Sequence, residues 1–176
     1  MTLAFLDECG FSPSQPVNYS WTPAGQRKHV PYENPEGRRV DVLAAMVADG
    51  PTPSLTCASV PRSLTADDLV LFLREAIPRG AGLLVVVLDI AAIHRSRVVR
   101  AARQPSRAEG IVLYYPPTCS PELNAIEPVF GVVKHHDLPE RAHQTVAALG
   151  DAVDAAFAAA EKRLVSKSAQ ELRPAA

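Results

Sequence analysis

Two runs of apolar residues, each followed at once by an aspartate, most strongly limit how this chain can fold. The first run is Leu3 to Leu6, followed by Asp7, and the second is Leu83 to Leu88, followed by Asp89. Four to six consecutive apolar residues are typical of a strand buried on both faces. An acid at the end of such a strand lies at the edge of the sheet, where open α/β sheets bind their ligands. The pattern predicts an α/β fold with two acids at one edge.

A third acid, Glu127, ends the string SPELNAIE that begins at Ser120. Three converging carboxylates suit hard cations such as Mg²⁺, which prefer oxygen ligands. Asp89 and Glu127 also have structural alternatives, because Asp89 can cap a following helix and Asn124 with Glu127 fits a capping box. Asp7 is preferred over Glu8, since adjacent strand residues point to opposite faces and only one of them can join a shared site.

The composition of the chain limits the classes of protein to which it can belong. The chain has 176 residues, 47% of them hydrophobic, and a net charge of −1, which indicates one globular domain without a generally basic surface. Five arginines nevertheless lie between Arg95 and Arg107, either as a solvated helix face or as a phosphate-contacting one. Three dispersed cysteines without a CxxC motif predict a reducing, cytoplasmic location. No signal peptide and no apolar run long enough for a membrane span are recognised, and the first strand begins almost at Met1.

Hydrophobic periodicity predicts several strands first and alternating helices and strands afterwards, hence a mixed sheet flanked by helices. One domain is expected over residues 1–165, with a disordered tail over 166–176. Thr65 is predicted to cap the first helix. The predicted strands cover 3–7, 38–47, 55–60, 83–88 and 111–114, with two short strands within 11–37, and the predicted helices cover 66–77, 91–103, a segment after Asn124, and 143–164.

Four segments, in order, resemble the catalytic domain of DDE-superfamily transposases, in the mariner-related group of bacterial insertion-sequence enzymes. FLDECGF (5–11) is similar to that family's first-acid strand, and YSWTPAGQRKHV (19–30) to its Trp-x-Pro-x-Gly-Gln segment. VVVLDIAAIH (85–94) resembles the second-acid strand. The most specific segment runs from Tyr115 to Lys134 and resembles the Ser-Pro-Glu-Leu-Asn-Pro-Ile-Glu signature with its trailing lysine. The 37 residues between Asp89 and Glu127 are close to the spacing of this superfamily.

The resemblance implies a ribonuclease-H-like fold, with Asp7, Asp89 and Glu127 as a catalytic and metal-binding triad. Two Mg²⁺ or Mn²⁺ ions about 4 Å apart would then support hydrolytic DNA strand cleavage and strand transfer. Three further residues are expected to contact DNA or its phosphates, namely His94, Arg95 and Lys134. The alternatives are a structural histidine at 94 and a solvated lysine at 134.

The chain also departs from the family pattern. The family carries helix-turn-helix modules ahead of its first acid, and this chain has none, so we expect weak, non-specific DNA binding. The expected partners are DNA and a second copy of the chain in a homodimer. Two alternatives are an inactive or domesticated remnant that binds DNA or protein, and an α/β metal-dependent phosphohydrolase. The departures within the motifs are Ile90 for Asn, Ala125 for Pro, Pro128 for a polar residue and Phe130 for Trp.

Overall fold

The protein's structure, a computed structural model, describes residues 1–14, 22–27, 29, 38–49, 53–78, 82–117, 120–138 and 142–171. Side chains of the last helix are described as far as residue 166. The helices and strands of this part of the chain are β1 (Thr2–Phe11), β2 (Val40–Val47), β3 (Ser54–Val60), α1 (Ala66–Glu75), β4 (Leu84–Val87), α2 (Arg97–Ala108), β5 (Ile111–Tyr114), a 3₁₀ turn (Pro121–Leu123), α3 (Glu127–Val132), a π-helical turn (Val133–Asp137) and α4 (Val146–Glu171).

The five strands form one mixed sheet in the order β3-β2-β1-β4-β5. The pairs β1–β2 and β2–β3 are antiparallel, whereas β1–β4 and β4–β5 are parallel. A parallel pair needs a crossover connection, and α2 supplies the one between β4 and β5. The mixed sheet that the sequence predicts is therefore confirmed.

Helices cover both faces of the sheet, because alternate residues of the central strands point to opposite sides. Cys9 and Phe11 of β1 face α3 and α4, where Phe157 packs edge-on against Phe11 and Phe130. The opposite face of the sheet packs against α1 and α2 through a second cluster of buried side chains. Its members include Ala4, Leu6, Leu43, Leu69, Phe72, Leu73, Val86, Leu88 and Val99.

The first helix begins where the sequence predicts. Thr65 Oγ1 accepts a hydrogen bond from the Asp68 backbone N–H, and the Asp68 carboxylate accepts one from the Thr65 N–H, which completes a capping box. The prediction of Thr65 as the N-cap is confirmed.

Other boundaries differ from the predicted ones. The predicted strand 3–7 continues to Phe11, since Cys9 and Phe11 keep the alternation and pair with β2. The predicted helix 91–103 is wrong at both ends: residues 92–95 form turns, Ser96 caps α2, and Pro105 costs a backbone hydrogen bond without ending the helix. The last helix begins at Val146 rather than His143 and its backbone continues to Glu171, past the predicted domain end. Most of the segment 11–37, with its two predicted short strands, lies outside the described residues.

Candidate active site

The register of β1 and β4 places the two aspartates side by side. Thr2 of β1 pairs with Leu84 of β4, and Phe5 pairs with Val87. Continued two residues further along each chain, the same offset brings Asp7 and Asp89 to the same end of the parallel pair. Asp89 is near enough to Asp7 to raise its pKa by repulsion, which agrees with two acids at one edge of the sheet.

The two aspartates differ in surroundings. Asp7 is 7% exposed, because β1 continues past it and carries it into the core. Burial raises the pKa of Asp7 from its ordinary value near 4 to about 7, although a hydrogen bond from the Glu8 backbone N–H opposes the shift. Repulsion from Asp89, Glu8 and Glu127 raises the pKa further. Asp89 lies just past the end of β4 with its side chain 55% exposed.

Asp89 is not a helix cap. Its Oδ1 accepts a hydrogen bond from the Ala91 backbone N–H at 2.9 Å, which forms a local turn, and the cap of α2 is Ser96 instead. Since the turn over residues 92–95 separates Asp89 from the helix, the structural alternative for this acid is wrong.

His94 lies between two carboxylates. Its Nδ1 is 2.7 Å from Asp89 Oδ1, and its Nε2 is 2.7 Å from Glu8 Oε2, at ion-pair distance but without the alignment of a hydrogen bond. Burial lowers the pKa of the imidazole, but the contacts with Glu8 and Asp89 outweigh it, so the pKa of His94 is raised. The ring is fully buried, so the predicted contact between His94 and a DNA phosphate is wrong. The ring lies between the two carboxylates and contacts both.

Glu8 was missed by reasoning from strand alternation. Asp7 and Glu8 do point to opposite faces of β1, but His94 reaches Glu8 on its side of the sheet. Asp7, Glu8 and His94 each present one ligand atom, and these three atoms lie within 4.8 Å of one another. The prediction that only one of the two adjacent acids can join the site is therefore wrong, and this compact set shares only Asp7 with the predicted triad.

Asn124 links the segment before α3 to the first strand. Its Nδ2 donates to the Leu6 carbonyl at 3.2 Å and to Asp7 Oδ2 at 3.3 Å, and the side chain is buried. The next helix, α3, has Ile126 as its N-cap, with no side-chain capping bond. Because the Asn124 side-chain amide bonds to β1 and α3 has no side-chain cap, the predicted capping box of Asn124 and Glu127 is wrong.

Glu127 is the first residue of α3 and is exposed, near enough to Asp7 to raise its pKa by repulsion. Lys134 lies in the π-helical turn after α3, with its Nζ 5.6 Å from the centre of the Phe11 ring. Single π turns inside helices are frequent at functional sites. The structure thus brings Glu127 and Lys134 to the side of β1 that carries Asp7.

The donor set fits a divalent metal of the Mg²⁺ type. Asp7, Glu8, Asp89 and Glu127 supply carboxylate oxygens, which such ions prefer. Two buried oxygen atoms, Glu8 Oε2 and Asn124 Oδ1, have no hydrogen-bond partner among the described residues. The Glu8 oxygen nevertheless lies 2.7 Å from His94 Nε2, and this ion-pair contact offsets part of the cost of burying it.

A mixed five-stranded sheet of this order, with one acid within β1 and another just past the end of its parallel neighbour β4, has the ribonuclease-H-like fold. A family model described as DDE superfamily endonuclease matches residues 2–150. The chain belongs to this family. The sequence resemblance to DDE enzymes is thereby confirmed at the level of the family.

Solved structures of the Mos1 transposase share the fold. The Mos1 strand transfer complex aligns with a TM-score of 0.63 and 17% identity over 97% of this chain and 51% of that one. The mariner Mos1 paired-end complex with Mg aligns with a TM-score of 0.63 and 14% identity, and the complex with Mn with 0.63 and 16%. The chain spans about half the length of these matched chains. No curated protein matched.

No helix in the described part of the chain is long and apolar enough to cross a membrane.

Proposed function

We propose that this chain is a transposase catalytic domain that cleaves DNA strands and transfers them in a metal-dependent reaction. The observation that carries the proposal is the parallel pairing of β1 with β4, whose register leads toward Asp7 and Asp89, together with the repulsion between these two acids. Membership of the DDE superfamily endonucleases and the fold shared with Mos1 support it. The proposed domain comprises the sheet and the helices that cover it. The proposed location is the cytoplasm, which the sequence also predicts.

Asp7, Asp89 and Glu127 are the proposed metal ligands and catalytic residues. Bound Mg²⁺ or Mn²⁺, as a pair of ions, would activate the attacking hydroxyl and stabilise the leaving oxygen. The protein's own part is to hold the ligands. His94 and the local turn fix the Asp89 carboxylate, and Asn124 fixes Asp7.

DNA is the proposed substrate and partner, bound without sequence preference. Structures described as Mos1 complexes with transposon ends and strand-transfer products share this fold, which supports a nucleic-acid substrate. Lys134 and Arg95 are the proposed phosphate contacts, because both are cations near the carboxylate edge. A homodimer is the proposed assembly, since one of the matched Mos1 structures is described as a paired-end complex.

Nicking of supercoiled plasmid with Mg²⁺ or Mn²⁺ tests the catalytic proposal. The variants Asp7→Asn, Asp89→Asn and Glu127→Gln keep the shape of each side chain and should each lower the nicking rate by at least 100-fold. Asp151→Asn removes an exposed carboxylate from α4 and should leave the rate within twofold. Nicking that persists in all three variants would contradict the proposal.

The same preparation separates the alternatives. Hydrolysis of a small phosphate ester, without nicking, would favour a phosphohydrolase. DNA binding without metal-dependent nicking would favour an inactive remnant.

A further inference from the structure

A cluster of arginines lies on α2 and on the turn before it. We call Arg95, Arg97, Arg100, Arg103 and Arg107 the arginine face. All five are exposed, and the segment from 95 to 108 contains no acidic residue. None of the five is paired with a carboxylate in the described part of the chain. They supply five of the 18 basic residues in a chain whose net charge is −1, so positive charge is strongly concentrated here.

Several other arginines of the described chain are paired with acids. Arg62 is paired with Asp68 at 2.6 Å, Arg74 with Glu109, and Arg163 with Asp137. Exposed ion pairs of this kind contribute little to stability, but they cancel the field of each cation. The arginine face keeps its full field, because no acid offsets it.

The two helices on this side of the sheet differ in charge pattern. The first turn of α1 carries Asp67 and Asp68, and its last turn carries Arg74, as the helix dipole favours. The first turn of α2 has no acid and carries two cations, Arg97 and Arg100. The helix dipole disfavours positive charge at this end of a helix. Arginines at the start of α2 therefore cost free energy in the free protein, and a bound anion at this surface would offset that cost.

Tyr115 connects the arginine face to the carboxylate edge. The Arg103 guanidinium lies over the Tyr115 ring, 4.8 Å from its centre. The Tyr115 hydroxyl donates a hydrogen bond to the His94 carbonyl at 3.0 Å, and His94 in turn holds Asp89. The arginine face is thus in continuous contact with the proposed active site.

From these observations we propose that the arginine face binds the phosphate backbone of the DNA duplex that the carboxylate edge cleaves. The inference rests on the proposed function and deepens it by assigning the surface that holds the substrate. Arginine forms paired hydrogen bonds with phosphate oxygens, and each neutralised phosphate releases counterions. A protein with net charge −1 needs such a local concentration of positive charge to hold duplex DNA near its own carboxylates.

Two triple variants with the same change in net charge test the proposal. The test variant is Arg97→Gln, Arg100→Gln and Arg107→Gln, which spares Arg103 because it packs on Tyr115. The control variant is Arg62→Gln, Arg74→Gln and Arg163→Gln, which removes three arginines that already have acidic partners. Thermal unfolding of both variants establishes that each is folded.

Binding of a 30-base-pair duplex of arbitrary sequence is then measured by fluorescence anisotropy in EDTA over a range of salt concentrations. The test variant should bind at least 10-fold more weakly than the unmodified chain at low salt. Its slope of log K against log salt should fall by about 2 to 3, since each duplex phosphate contact contributes about 0.9. The control should keep the slope and bind within threefold. Equal losses in both variants, or no binding by the unmodified chain, would overturn the proposal.

Measuring binding in EDTA separates this inference from the catalytic proposal. If the arginine effect is present while metal-dependent nicking is absent from the unmodified chain, the catalytic function fails and the binding surface stands. If Asp89→Asn abolishes nicking but the test variant binds like the control, the catalytic function stands and the arginine face is rejected.

Discussion

His94 Nε2 lies 2.7 Å from Glu8 Oε2, while Nδ1 of the same ring lies 2.7 Å from Asp89 Oδ1. One buried imidazole therefore links a residue of β1 to the acid just past β4. Both ring nitrogens face oxygen atoms of carboxylates, and only the doubly protonated ring has an N–H on each side. The raised pKa of His94 agrees with this form.

The first prediction concerns this link. Glu8→Gln removes the charge that holds His94 and keeps the side-chain shape, so Asp89 loses part of its orientation. We expect the rate of metal-dependent nicking to fall by about 10- to 100-fold, as is typical when groups that orient metal ligands are changed. The affinity for DNA in EDTA should stay within twofold. A fall in DNA affinity with an unchanged nicking rate would contradict the orienting role.

The second prediction concerns metal binding and stability. Asp7, Glu8, Asp89 and Glu127 repel one another without a cation, and a ligand that binds only the folded state stabilises it by mass action. Millimolar Mn²⁺ should therefore raise the Tm by several degrees, a shift that corresponds to about 1 kcal/mol or more in a domain of this size.

Asp89→Asn should reduce that Mn²⁺-induced shift by at least half, measured by differential scanning fluorimetry. Asp151→Asn, the exposed control on α4, should leave it unchanged. An equal shift in both variants would place the metal elsewhere.

Most of the sheet could be predicted from the sequence, since a six-residue apolar run such as Leu83 to Leu88 is too short to span a membrane and is typical of a buried strand. The positions of Asp7 and Asp89 are consequences of the same runs. The turn over residues 92–95, after Asp89, could not be predicted. In this turn His94 is buried in contact with Glu8, and helical periodicity gives no sign of such a contact.

Contacts between residues that are distant in sequence explain what else could not be predicted at the site. Asn124 fits a local capping pattern, but its amide bonds to Leu6 and Asp7, more than 100 residues earlier. Phe130, which stands where the resembling family has Trp, packs in the core against Phe157. The family departure at this position therefore concerns packing and not the chemistry at the sheet edge.

The third prediction concerns pH. Burial raises the pKa of Asp7 to about 7, above its unfolded value near 4. Between these two values the folded state binds more protons than the unfolded state, so stability falls as pH rises from 4 to 7. In EDTA, the metal-free protein should be less stable at pH 8 than at pH 5.

Asp7→Asn removes the titrating group. The variant should have a smaller loss of stability between pH 5 and pH 8 than the unmodified chain, and a higher Tm at pH 8. Urea unfolding in EDTA at the two pH values measures this difference. An identical pH dependence in both proteins would contradict the raised pKa of Asp7.

The last prediction concerns Asn124, whose side chain bonds directly to Asp7 from the segment just before α3. Asn124→Ala leaves the buried Leu6 carbonyl and Asp7 Oδ2 without this donor, and the loss of buried hydrogen bonds costs about 1 to 3 kcal/mol. We expect a lower Tm together with a fall in nicking rate of at least 10-fold, because Asp7 and the start of α3, which carries Glu127, are no longer held together. Leu123→Ala, at an exposed neighbouring position, should change neither quantity appreciably. If Asn124→Ala lowered the Tm but left the nicking rate unchanged, the amide would serve only the fold, and the alignment of Asp7 with Glu127 would depend on other contacts.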